Sequence, residues 1–128
     1  MTVSDQLQSF RSRFPACAIV AFADLSTGMV LASNTVVRTG QETLDTLCHA
    51  GFDALMGQDA AAVSRDLSDS GLRGPQLVLK GDAAGLSCFL RARNPAVEAL
   101  CLQLVSLERF DDLQSAAQDL LDELTQEH

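Results

Sequence analysis

Residues 16–33 read Ala16-Cys17-Ala18-Ile19-Val20-Ala21-Phe22-Ala23-Asp24-Leu25-Ser26-Thr27-Gly28-Met29-Val30-Leu31-Ala32-Ser33. The first eight positions are apolar without a break. A half-exposed strand would alternate, so the unbroken run predicts a central strand covered on both faces. Asp24 to Gly28 supplies turn chemistry, and Gly28 is free to take positive φ. Met29 to Ser33 then returns, which makes the segment a β-hairpin.

Upstream of the hairpin, Val3, Leu7, Phe10 and Phe14 recur at three- and four-residue spacing. They predict a short amphipathic helix over about 4–14, with Ser4 as its cap, Asp5 at its positive end and Pro15 as its stop. Downstream, Thr39-Gly40-Gln41-Glu42 has the form of a capping box and predicts a helix over 41–57. Its apolar stripe is Leu44, Leu47, Cys48, Gly51, Phe52, Leu55 and Met56. Glu42, Asp45, Thr46, His49 and Asp53 form the polar side, and Gly57 is the natural stop.

After Pro75 the hydrophobic period changes to two. Gln76 to Lys80 reads as a strand, Asp82-Ala83-Ala84-Gly85 as a turn, and Leu86 to Arg93 as the returning strand. Leu86, Cys88, Leu90 and Ala92 fall on one face of it, and Ser87, Phe89, Arg91 and Arg93 on the other. Asn94-Pro95 breaks the chain before a fifth strand over Leu100–Leu107. A C-terminal amphipathic helix follows over about 109–127, its stripe built from Phe110, Leu113, Ala117, Leu120, Leu121 and Leu124. Between the second helix and the third strand, Ala60 to Leu67 fits either a helix extension or a separate turn of helix, and Ser68 to Pro75 reads as loop.

The expected architecture is therefore α+β: helix-β-β-helix-β-β-β-helix, with a five-stranded antiparallel sheet and helices on both faces, in one domain over 1–128. A hydrophobic content of 47% and a charged content of 20% place the chain far from the disordered class. The net charge of −8 is concentrated at the C-terminal end. There Glu108, Asp111, Asp112, Asp119, Asp122, Glu123 and Glu127 oppose only Arg109. Such an end repels phosphates, and no basic stripe exists to release counterions from a nucleic acid. Nucleic-acid binding is not expected, and the acidic last helix suits a basic partner instead.

No stretch approaches the ~20 apolar residues of a membrane span. The N-terminal residues lack the basic and apolar regions of a secretory signal, and no CxxC pair occurs among Cys17, Cys48, Cys88 and Cys101. Buried reduced thiols in a cytoplasmic protein are the expectation.

The hairpin, with its apolar strand, short acidic-and-glycine turn and Leu31-Ala32-Ser33 return, resembles the Roadblock/dynein-light-chain family of the profilin-like superfold. The element order over about 16–124 supports the likeness. The resemblance implies a homodimer or heterodimer in which the helix at 41–57 meets its partner copy and the strand at 76–81 extends the sheet. It also implies a non-catalytic scaffold or regulator acting by contact, with a small GTPase or other protein as partner. Similar element orders occur in PAS-like and profilin-like ligand sensors, where Phe22, Phe52, Phe89 and Cys88 would line a pocket.

No residue constellation reads as catalytic, and no cofactor motif is present. Cys48 and His49 are adjacent on one helix, so their side chains point ~100° apart and do not cooperate. Asp45, His49 and Asp53 share a helix face, but no second cluster of metal ligands accompanies them. Ser26, Thr27 and Gly28 lack the lysine and spacing of a phosphate loop. The candidate contact residues are His49, with Ala50 and Ala54 as a small-residue seam for an approaching helix, and a patch of Phe89, Arg91 and Arg93 facing an acidic partner.

Overall fold

In the computed structural model, which describes residues 2–36, 38–56, 77–82, 85–92 and 98–126, the apolar run becomes β1 (Cys17–Asp24), covered on both faces. It turns through Gly28, whose φ is +73°, and the Gly28 N–H donates to the Asp24 carbonyl at 2.8 Å. The returning strand β2 (Met29–Thr35) pairs antiparallel, with a register shift at Phe22/Ala23. The Asp24 carboxylate stiffens the turn by accepting from the Ser26 amide at 2.8 Å and the Ser26 hydroxyl at 2.6 Å. Those bonds hold the Asp24 pKa below its ordinary value, the hydroxyl contributing most.

Helix α1 spans Val3–Arg13. Its cap is Thr2, two positions before the expected Ser4. The Thr2 hydroxyl accepts from the Asp5 amide at 3.1 Å while the Asp5 carboxylate accepts from the Thr2 amide at 3.2 Å. A capping box satisfies two orphan donors where a lone serine satisfies one, so the helix starts there. Helix α2 spans Gln41–Met56, and its first turn closes with the Leu44 N–H on the Gly40 carbonyl at 3.3 Å. The remaining elements are β3 (Leu77–Asp82), β4 (Gly85–Arg91), β5 (Glu98–Leu104) and α3 (Phe110–Gln126). Strand β5 begins two residues before the expected Leu100, because Glu98 pairs with Asp24 at the far end of β1.

The five strands run in the order β2-β1-β5-β4-β3, every described pair antiparallel. Strand β5 is thus the centre of the sheet, with β2 and β3 at its edges. One face carries α1 and α3. There Leu7, Phe10, Phe14, Leu113, Leu121 and Leu124 pack on Val20, Phe22, Cys88, Leu90, Leu100 and Leu102. The other face carries α2, whose Leu44, Leu47, Cys48 and Leu55 pack on Ala21, Phe89, Ala99 and Cys101. Burial of these two apolar layers drives the fold. The expected segregation of β4, with Cys88 and Leu90 on one face and Phe89 on the other, is what places the layers.

The expectations for residues 58–75 and for Arg93 lie outside the described residues. No helix among those described is long and apolar enough to cross a membrane.

Candidate functional site

Helix α2 lies alone on its face of the sheet among the described elements, so its outward side is surface. Asp45, His49 and Asp53 line that side, and His49 Nε2 lies 3.7 Å from the Asp53 carboxylate with 76% of its side chain exposed. Cys48, one residue earlier, is only 3% exposed. Thiol and imidazole therefore face opposite ways, as the helical spacing predicts. Among the described residues no three His, Cys, Asp or Glu side chains are placed to hold a metal ion.

Ala50 and Ala54 flank the buried stripe and are half-buried against the core, as is Val78 of β3. The flank bearing Thr43, Leu47 and Ala50 opens over β4 and β5, where Ser87 and Gln103 floor a shallow groove of about 350 Å³. Beyond β4 lies β3, whose outer edge has no strand beside it among the described residues. The small-residue flank of α2 and this free edge thus share one side of the molecule. Leu79 and Lys80 of β3 are exposed there.

The expected surface patch of Phe89 and Arg91 is corrected by the packing. Phe89 has no exposure and Arg91 only 3%, because α2 covers the face of β4 that carries them. Arg91 has another task. Its guanidinium donates to the Leu55 carbonyl at 3.2 Å, in the last turn of α2. The final carbonyls of a helix have no intrahelical partner and carry the negative end of its dipole, so a buried cation is well placed there. Burial pulls the Arg91 pKa below its ordinary value without bringing a guanidinium near neutrality. Sequence alone reads Arg91 as a surface charge, and its place on the same face of β4 as Phe89 was the one signal available that the face could be covered.

The second correction concerns the pocket expected between Phe22, Phe52, Phe89 and Cys88. Phe22 and Cys88 point to the α1/α3 face, while Phe52 and Phe89 point to the α2 face. The sheet separates them, so they line no common cavity.

On the opposite face, α1 and α3 leave a cleft of about 710 Å³ between them. Arg13 and Arg109 place their guanidinium carbons 5.4 and 5.3 Å from the centre of the Phe14 ring, and Arg109 lies 3.6 Å from Asp112. Arg109 adopts a positive φ of 57° to reach this position. Asp119 and Glu123 line the same cleft, so part of the acidic surface of α3 already faces basic groups of its own chain.

The four thiols divide between the two layers, all buried and free. Desolvation pushes Cys17 and Cys88 up to about 12. Cys48 and Cys101 share the buried cluster across the α2–β5 contact. The neighbouring Cys48 thiol and burial together hold the Cys101 pKa well above its ordinary value.

Comparison with known proteins finds this architecture in solved structures. A Roadblock/LC7 domain from Streptomyces avermitilis superposes with a TM-score of 0.74 at 10% identity, covering 95% of this chain and 93% of that one. The gliding protein MglB from Thermus thermophilus gives 0.70 at 18%, covering 98% and 90%. A structure of MglB in a tetrameric arrangement gives 0.70 at 18%, covering 98% and 88%. No family model and no curated protein sequence matches the chain. The chain has the Roadblock/LC7 fold, and at these identities the likeness establishes the fold alone.

Proposed function

We propose that this chain is a non-catalytic interaction module that pairs with a second copy through α2 and the β3 edge, and that the paired surface engages a small GTPase. One observation carries the reading: the half-buried small residues Ala50 and Ala54 lie on the same side of the molecule as β3, a sheet edge that no described strand covers. Small side chains permit two helices to approach closely, and an unpaired edge offers backbone donors and acceptors to a second strand. A two-fold operation satisfies both at once, because each patch then meets its own copy. His49 and Asp53, exposed on the outer side of α2, rim this contact.

The GTPase is the finer part of the reading and rests on the family resemblance. The absence of a convergent nucleophile and base around His49 and Cys48 favours action by contact over chemistry.

Light scattering of the purified chain should give twice the monomer mass. The pair Ala50→Arg and Ala54→Arg should return it to one monomer with helix content unchanged. A wild-type chain that stays monomeric at every concentration tested refutes the dimer. Titration against nucleotide-loaded small GTPases from the same genome tests the partner, and no binding by any of them overturns that part alone.

A further inference from the structure

Of the four buried cysteines, two share one cluster at the closest approach of α2 to the sheet. Cys101 sits at the centre of β5 and faces α2. Gly51 is the reason α2 comes so near: a Cβ built on it would lie 2.9 Å from the Cys101 sulfur and 3.0 Å from the Phe89 ring. The helix backbone therefore rests almost directly on Cys101 Sγ. Cys48 stands one turn earlier on the same stripe and is buried in the same cluster as Cys101. We propose that Cys48 and Cys101 form a redox modification site, joined into a disulfide by a hydroperoxide and restored by a thiol reductant.

Every other pairing fails on geometry. Cys17 of β1 and Cys88 of β4 lie on opposite sides of β5. Two strand spacings put their backbones roughly 10 Å apart, whereas a disulfide needs Cα atoms within about 7 Å. Cys88 and Cys101 are on neighbouring strands, but Cys101 pairs with Phe89, so Cys88 points to the opposite face. The sheet likewise stands between Cys48 and both Cys17 and Cys88, and between Cys17 and Cys101. Only the α2–β5 contact brings two sulfurs together.

The chemistry balances in two steps. The Cys48 thiolate attacks one peroxide oxygen: an S–O bond forms, the O–O bond breaks, and the departing hydroxide takes a proton to become water. Cys48 is then a sulfenic acid. The Cys101 sulfur attacks it, an S–S bond forms, the S–O bond breaks, and the hydroxyl leaves as water with the Cys101 proton. Two sulfurs are oxidised by one electron each, and the two peroxide oxygens are reduced. Cys48 is the attacking group because its side of the contact keeps a trace of solvent exposure, 3%, whereas Cys101 is fully enclosed. Burial slows the encounter with peroxide and leaves unchanged which sulfurs are neighbours. The bond would tie α2 to the central strand, and this holds whether or not α2 meets a second copy.

Hydrogen peroxide added to the reduced full-length chain, followed by non-reducing digestion and mass spectrometry, tests the proposal. The expected result is a loss of two of the four free thiols, one cross-linked peptide pair containing Cys48 and Cys101, and a melting temperature that rises on oxidation and falls back with dithiothreitol. In Cys101→Ser the sulfenic acid should stay on Cys48 and be trapped by dimedone. Cys17→Ser and Cys88→Ser should keep the cross-link. A bond between any other pair, a bond between chains, dimedone on Cys101, or four unreacted thiols in folded protein each overturns it. The wild-type peptide map decides the question even where a variant fails to fold.

Discussion

Replacing Gly51 with alanine sets two effects of known sign against each other. In the interior of a helix, alanine is favoured over glycine by about 1 kcal/mol, so an unobstructed site would gain stability. The site is obstructed. The new methyl would lie 2.9 Å from Cys101 Sγ, 3.0 Å from Phe89 Cδ1 and 3.3 Å from Phe89 Cε1, and both residues are enclosed on all sides. Neither side chain has space into which to rotate, so α2 must lift from the sheet. Overpacking of this kind costs roughly 1–3 kcal/mol, which outweighs the helical gain and leaves a net loss of about 1 kcal/mol. For a chain of this length that is a fall in melting temperature of roughly 3–6 °C.

A double-mutant cycle with Cys101→Ala isolates the cause. Removing the sulfur removes the tightest contact, so Gly51→Ala should cost at least ~1 kcal/mol less in that background than in the wild type. Urea denaturation of the four proteins supplies the cycle. Should Gly51→Ala alone raise the midpoint, or should the two changes prove additive, the close approach of α2 to β5 is wrong.

Two further outcomes follow from the same contacts. Arg91→Met keeps the aliphatic length but withdraws the charged donor from the Leu55 carbonyl, so it should cost roughly 1.5–3 kcal/mol. Hydrogen exchange should quicken first in the last turn of α2, and protection equal to wild type there would show that Arg91 does not cap the helix. Ser26→Ala removes the main group depressing the Asp24 pKa. A carboxylate whose folded pKa lies below its unfolded value adds stability above the unfolded pKa and loses it as pH falls through the folded one. Carbon-detected titration should therefore show the Asp24 pKa rising toward the ordinary carboxylate range in Ser26→Ala, with acid sensitivity setting in at higher pH. An unmoved pKa would count against the hydroxyl bond.

Local pattern was enough for the element order. The unbroken run at 16–23 announced β1 because covering both faces of a strand leaves no polar position, and alternation in β4 separated Leu86, Cys88 and Leu90 from Phe89 and Arg91. The stripe Leu44, Leu47, Cys48, Gly51 and Leu55 marked the inner side of α2, and Gly28 marked the hairpin turn. These readings succeed because backbone geometry repeats every two or 3.6 residues and side chains follow it.

Which face of a strand is inward is a local property; what lies over that face is not. Arg91 reads as a surface charge until α2 is laid across β4, when its partner becomes a carbonyl 36 positions earlier in the chain. Strand order likewise has no periodic signature, so tertiary pairing alone made β5 the centre and β3 an outermost strand. The cysteines show the division most plainly. Spacing alone shows that all four lie in apolar runs and carry no metal-binding or CxxC pattern. Packing of the layers lets α2 sink onto β5 at Gly51, which puts Cys48 in one cluster with Cys101 and leaves Cys17 and Cys88 on the far side of the sheet. Periodicity records burial, but contact between distant segments is settled by how the layers pack.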